Sequence, residues 1–545
     1  MDRRPAASTI LVASSLVITL GALPSQPHSG SRATAVVWGP LAPATQGHGD
    51  RALEPDMRNE IDAALRALAA RTSGDHDARL IRGVRRFYTD RGLAPAWTDS
   101  AGWSGRGLQL QRAMARAATE GLDSDTYRAP AIEARASLLT NPTRAHADVW
   151  LSFVALRFAE DLGWGLAVPG EVQRDHAYLR RPFPADSLLT AWSRAADAGQ
   201  ALLEVTPTSI GYVRLRDALA MLRRISQTTP WDSVTRGPTL RVGATGERVA
   251  QLRASLMQRG DLAPAISDTT AFDQSVAAAV ARFQERHGLI ADSVFGPITR
   301  AAMNVPITAR IRQVELGMER VRWLPPIGHG RWITVNLADQ RAFVLDGGHT
   351  VFATRVIIGA TNHTTPMFTD TLTHIVLNPE WNVPPSIAAK EIGPAIRRDP
   401  TYLERNHMVR VAGGIKQLSG PWNALGQVAF MFPNRFNVYM HDTPAKELFA
   451  HPDRAHSHGC IRVQRPHEMA TMLLAGQGWS RTQLDSVIAT GRRTVVMLRE
   501  PIPVRITYAT AFTDDDGALQ FRPDVYGRDA KLDAHLRRLR VLTGP

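Results

Sequence analysis

The chain has 545 residues, 44% hydrophobic and 21% charged, enough apolar material for more than one core and a length that suits several domains. Its net charge of +13 admits nucleic acid or a carboxylate-rich polymer as partner. No long basic run or nucleic-acid motif accompanies the charge, so nucleic acid is not expected. The single cysteine, Cys460, excludes an intramolecular disulfide and, in an exported chain, leaves a free thiol.

The N-terminus reads as an export signal. Arg3 and Arg4 give a positive start, and the apolar run from Ile10 to Leu23 is short for a membrane span. Ala33-Thr34-Ala35 has the small-x-small form of a cleavage site but lies late. Residues 1–35 are therefore expected to be a signal peptide or an uncleaved anchor in the inner membrane. Residues 36–57, rich in Pro, Gly, Ser and Ala, read as a linker.

Residues 58–238 turn helical. Ile61, Leu65 and Leu68 fall at helical spacing, as do Val84, Phe87 and Tyr88 before Gly92 and Pro95 break the pattern. Residues 239–305 read as a compact three-helix unit. Val249, Leu252 and Leu256 mark one helix, Val276, Val280 and Phe283 a second, and Pro297 starts a third. Residues 306–329 carry Ile307, Ile311, Val314, Met318 and Val321 at helical spacing, predicting a helix that returns to the first helical domain, with the compact unit inserted.

From residue 330 to 500 the period becomes that of strands: Trp332–Val335, Phe343–Leu345, Val351–Ile358, His374–Leu377, Asn437–Met440 and Thr494–Leu498. Asp346-Gly347-Gly348 is a hairpin signal. Residues 381–433, with a helix-like run from Ser386 to Arg398 and two aromatic phrases, are too long for a plain connection and read as a lid. Residues 501–545 form a C-terminal segment expected to pack on the first helical domain.

The chemistry concentrates between Asn437 and Val463, which hold Cys460, His441, His451, His456 and His458. A thiol needs a base to become a nucleophile at neutral pH, and an imidazole held within reach supplies one, stabilising the thiolate as an ion pair. The run Val438 to Met440 gives His441 rigid support, and Gly459 lets the chain turn before Cys460. On residue types alone, Cys460 is as readily a buried small hydrophobe. His456, His458 and Cys460 could also hold zinc, although no second cysteine supports that.

Ser457-His458-Gly459-Cys460, followed by Ile461-Arg462 and preceded by the spaced His441, resembles the signature of the L,D-transpeptidase (YkuD-like) family of bacterial cell-wall cross-linking enzymes. Arg462, where short members carry Asn, is similar to the large periplasmic members. Leu93-Ala94-Pro95-Ala96-Trp97 and Glu120-Gly121-Leu122-Asp123 resemble their helical scaffold domain, and Leu240 to Leu289 resembles a peptidoglycan-binding module.

The resemblance implies a multidomain α+β protein: a mostly β catalytic domain, a β-sandwich with the cysteine in a groove, plus an α-helical scaffold and a three-helix module. It implies Cys460 as nucleophile and His441 as base. The amides of Gly459 and Cys460 would hold an oxyanion, with Ser457 and His458 shaping the loop. Arg462 would bind a substrate carboxylate or sit in a structural salt bridge, and Trp422, Asn423 and Tyr439 would line the substrate site. No metal or organic cofactor is implied. The implied partners are peptidoglycan stem peptides and glycan, in the periplasm.

Overall fold

A helix that is apolar on every face must be surrounded, and Asn141–Trp164 (α1) is such a helix, with Leu151, Phe153, Val154, Ala155, Leu156 and Phe158 all buried. Thr140 caps its start reciprocally with Thr143. The helices Pro55–Arg71, Asp75–Asp90, Gly105–Met114, Ala185–Arg194 and Ala198–Leu203 share its core, which also takes Trp97 and Trp192. The computed structural model describes residues 55–71, 75–127, 140–264, 270–326, 328 and 330–542. The predicted signal or anchor and nearly all of the predicted linker lie outside them.

One carboxylate organises this helical part. Asp148 of α1 is fully buried and accepts the backbone N–H groups of Ala96, Trp97 and Thr98 and the hydroxyls of Tyr88 and Thr98. Burial pushes its carboxyl upward, and these donors oppose the shift. The Pro95-Ala96-Trp97 phrase is thereby pinned to the central helix.

Ile210–Thr228 (α2) and Ile307–Arg322 (α3) pack on each other through Tyr212, Leu215, Leu219, Val314 and Met318. Between them the chain makes a separate small core from Val249, Leu252, Leu256, Phe272, Val280, Phe283 and Phe295. The three-helix unit is therefore an insertion between two helices that are themselves neighbours.

The strands that follow are labelled β1 (Arg331–Asn336), β2 (Arg341–Asp346), β3 (His349–Gly359), β4 (Phe368–Leu377), β5 (Val428–Met431), β6 (Met440–His441), β7 (Ala455–Ser457), β8 (Ile461–Val463) and β9 (Thr494–Thr507). They form one mixed sheet in the order β7-β3-β8-β6-β5-β4-β9-β1-β2, and β2 also pairs with β3. The sandwich expected from the sequence is thus one sheet that closes on itself. Alternating residues such as Val356, Ile358, Ile375, Leu377 and Val504 fill its interior with Met469 and Leu473 from the helix Pro466–Leu474.

Two predicted boundaries move. Val428, Ala429 and Phe430 are buried in β5 between β4 and β6, so the predicted lid of 381–433 loses its last phrase to the sheet core. Residues 381–427 remain outside, with a small core of Val383, Ile392, Met408 and Ile415. The predicted cut after residue 500 falls inside β9, whose far half pairs in parallel with β1. The helix Arg528–Leu542 (α4) places Leu532 and Leu536 in the sheet's core cluster, and its Asp529 and Asp533 pair with Arg320 and Arg312 of α3, as expected of a segment packed on the helical part. The hairpin Ala511–Phe521 meets α2 and α3.

Glu319 and Arg322 of α3 tie the helical elements to one another. Glu319 accepts from the Ala167 N–H at 2.9 Å and from Trp323 Nε1 at 3.1 Å. Arg322 lies 3.2 Å from Glu319 and donates to Tyr212 Oη and to the Glu120 carbonyl. Both ionised side chains are almost wholly buried. Glu319→Ala strands the Arg322 charge and is expected to cost about 3–5 kcal/mol. Urea unfolding measures it, and a midpoint equal to that of the parent protein would contradict this role.

Candidate active site

β6 and β8 run parallel, with Met440 opposite Ile461 and His441 opposite Arg462. Side chains alternate between faces along a strand. Met440 and Ile461 are fully buried on the core face, so Tyr439, His441, Cys460 and Arg462 share the other. The same register sets Tyr439 beside Cys460, and the Ile461 N–H donates to the Tyr439 carbonyl at 3.0 Å.

The support for His441 differs from that expected. Asn437 has φ of 52° and lies in a loop, so only Met440 and His441 are strand. The loop is held instead by Asn434, whose Oδ1 accepts from the N–H groups of Phe436 and Val438 and whose Nδ2 donates to the Phe432 and Val438 carbonyls. Sequence reasoning passed over Asn434, although Pro433-Asn434 between apolar runs is a turn signal.

His441 is buried, and its Nδ1 donates to the Asp442 carbonyl. That bond leaves Nε2 as the acceptor. The Asp442 carboxylate is fixed by the N–H groups of Gln427 and Thr443 and by Lys446. Burial, helped by the Arg462 charge, lowers the His441 imidazole to about 4. Burial raises the Cys460 thiol, while the Tyr439 backbone N–H and Arg462 oppose the rise. Burial thus favours the uncharged form of each group and weighs against the thiolate–imidazolium pair expected from the sequence. The half-buried thiol donates to the Asn437 carbonyl at 3.8 Å.

The loop leading to Cys460 departs from expectation at Gly459. Its N–H donates to Ser457 Oγ at 3.1 Å, and Ser457 Oγ donates to the Cys460 carbonyl at 2.5 Å. The Gly459 amide is thus spent inside the loop and is not an oxyanion donor. The Cys460 amide has no acceptor among the described residues. Gly459 has φ of +115°, a conformation that glycine alone adopts readily.

His458 turns outward. Its Nε2 lies 2.7 Å from Glu391 of the Ala388–Ile392 turn, and its ring lies 5.2 Å from that of His363. Glu391 and His363 carried no signal in the sequence, because each meets the loop only through the fold. Arg462 makes no salt bridge among the described residues, so the structural-pair alternative has no carboxylate to supply it. Its Nε is buried without a partner, and its charge faces Cys460 and His441.

Two further predicted residues divide. Trp422 is 43% exposed and stacks on His407 with ring centroids 3.7 Å apart. Asn423 is fully buried; its Nδ2 donates to the Gln417 and Leu418 carbonyls and its Oδ1 accepts from the Leu425 N–H. With its polar atoms occupied, Asn423 is a loop brace and not a substrate contact. No group of three or more metal-ligating side chains occurs among the described residues.

Three family models match the chain: the L,D-transpeptidase catalytic domain over residues 330–496, a scaffold domain over 82–219 and a putative peptidoglycan-binding domain over 245–303. The chain carries an L,D-transpeptidase catalytic domain. A curated relative, a putative L,D-transpeptidase of Haemophilus influenzae, is 28% identical over 243 residues, 41% of this chain. The chain spans about half of that relative's length, 49%. Two solved structures are similar in part. An L,D-transpeptidase from Xylanimonas cellulosilytica is 17% identical, covering 50% of this chain and 98% of its own at a TM-score of 0.17. An L,D-transpeptidase from Stackebrandtia nassauensis is 14% identical, covering 50% and 96% at 0.22. The match to the L,D-transpeptidase catalytic domain is over residues 330–496.

Arg462→Met should raise both neighbours' pKa values, because its cation favours neutral His441 and ionised Cys460. Protonated His441 cannot accept a proton, so activity falls as pH drops through its pKa. The acid limb of kcat/KM, near pH 4 in the parent from the His441 value, should move up towards the ordinary imidazole value of about 6.5. Alkylation of Cys460 at pH 7 should slow. An unmoved acid limb would remove Arg462 from the electrostatics of the base.

Asn423→Ala should lower stability by about 1–3 kcal/mol through the polar groups it strands, with KM unchanged in the folded fraction. A raised KM at unchanged melting temperature would restore Asn423 to the substrate site.

Proposed function

We propose that the protein is an exported peptidoglycan L,D-transpeptidase working through a Cys460 thioester. The observation that carries this reading is the shared face of His441, Cys460 and Arg462, with an unspent Cys460 N–H beside the thiol. Cys460 Sγ attacks the carbonyl joining the third residue of a stem peptide to its terminal D-alanine. His441 Nε2 takes the thiol proton as the C–S bond forms, and the Cys460 N–H receives the oxyanion. Collapse breaks the C–N bond, and the same proton passes to the departing amine of D-alanine.

A side-chain amine of a second stem peptide then attacks the thioester. Its proton goes to His441, the thiol is restored, and a three-to-three cross-link results. Arg462, a fork-shaped cation without a carboxylate of its own, holds a carboxylate of the donor stem. Residues 381–427 act as a cover. Glu391 reaches the nucleophile loop through His458, and Trp422 offers an exposed aromatic face to the substrate. The three-helix module tethers the enzyme to glycan. The export-type N-terminus, cleaved or retained as an inner-membrane anchor, fits a periplasmic substrate; no described helix is long and apolar enough to cross a membrane.

Incubating the purified protein with disaccharide-tetrapeptide and resolving the products by mass spectrometry tests the reading. Cross-linked dimers with released D-alanine are expected, and none from Cys460→Ala. Tripeptide alone would make the enzyme a carboxypeptidase, and unchanged substrate would leave a wall-binding protein with an idle cysteine.

A further inference from the structure

Thr365 lies between β3 and β4 and is fully buried. Its hydroxyl is used twice: Oγ1 accepts the Gly359 N–H at 2.9 Å and donates to the Gly459 carbonyl at 2.8 Å. In a trans peptide unit the C=O and the N–H point in opposite directions. The unit whose carbonyl Thr365 holds is the one joining Gly459 to Cys460, so its N–H is that of Cys460. A carbonyl tied to the buried Thr365 turns this N–H away from Thr365.

The unit needs such a tie. Gly459 has φ of +115°, and a residue without a Cβ leaves its peptide freer to rotate than any other. Ser457 holds the next carbonyl, that of Cys460, and the Gly459 N–H, but not the Gly459 carbonyl. Thr365 is the only described residue that bonds it.

Thr365 is itself backed from two distant parts of the chain. Arg528, fully buried in the first turn of α4, donates from Nη2 to the Thr365 carbonyl at 2.8 Å and to Asp175 Oδ2 at 2.6 Å. Thr364 Oγ1 donates to the same carboxylate at 3.2 Å. Tyr526 Oη donates to the Gly359 carbonyl, and Gly359 packs so tightly that a Cβ there would lie 2.1 Å from the His363 carbonyl and 3.1 Å from Gly459 Cα.

We propose that Thr365 is a positioning residue for acyl transfer: by holding the Gly459 carbonyl it aims the Cys460 N–H at the oxyanion. This rests on the thioester reading above. Thr365 touches no reacting atom and acts through one peptide plane. Losing one aimed donor costs about a hundredfold in kcat, and a misaimed donor should approach that loss.

The test compares Thr365→Val, which keeps the volume and removes the hydroxyl, with Thr365→Ser, which restores the hydroxyl. Disaccharide-tetrapeptide turnover and the pH profile of Cys460 alkylation by iodoacetamide are measured on full-length protein. Thr365→Val should lose about a hundredfold in kcat with KM nearly unchanged, and Thr365→Ser should recover most of it. The alkylation profile should stay the same in all three, because the Asn437, Tyr439 and Arg462 groups around the sulfur are untouched. Turnover by Thr365→Val within a few-fold of the parent overturns the proposal. So does an alkylation profile that shifts with the loss, which would mean a displaced thiol rather than a misaimed donor. Should the valine variant fail to fold, Thr365→Ala against Thr365→Ser gives the same comparison. A parent that forms no product sinks the thioester reading instead, so the two failures remain distinct.

Discussion

Two residues of β6 lie in parallel register with two of β8, and the arrangement of the site depends on that short contact. Met440 and Ile461 fix it by filling the core. A slip of one residue would turn every side chain to the opposite face, burying Cys460 and Arg462 and exposing apolar groups. The register thus uses two buried hydrophobes to set four other side chains on one face. Asn434 on one side and Ser457 on the other keep the flanking loops from relaxing it.

Burial then sets the electrical character of the site. A preformed ion pair between thiol and imidazole would hold two charges in a poorly solvated place. Here desolvation favours the uncharged form of each group, while Arg462 favours the thiolate and resists protonation of His441. Under the proposed thioester mechanism the proton moves during attack rather than before it, so that the cost of charge separation falls where the oxyanion donor offsets it.

The parts legible in the sequence were those encoded locally. Helical spacing around Leu252 and Phe283, the Asp346-Gly347-Gly348 turn and the Ser457-to-Arg462 run all declare themselves within a few residues. What escaped depends on contacts across long stretches of chain. Thr365 meets Gly459 from 94 positions away, and Arg528 meets Asp175 from 353, so neither has a local pattern to betray it. Phe430 misled for the opposite reason: a short apolar run reads alike as a covering loop or a buried strand, and only its pairing to β4 and β6 decides. Asn423 misled because a polar residue beside an exposed tryptophan reads as a contact surface, whereas its amide is consumed by the backbone around it.

Tyr526 and Arg528 follow Cys460 by 66 and 68 positions in the order of synthesis. A nascent chain stopped before residue 526 would already contain the histidine, the cysteine and every strand of the sheet. It would lack both side chains that brace Gly359 and Thr365 from behind. Synthesis through Arg528 is therefore needed to brace Gly359 and Thr365, so a chain stopped before it would display the motif without that support.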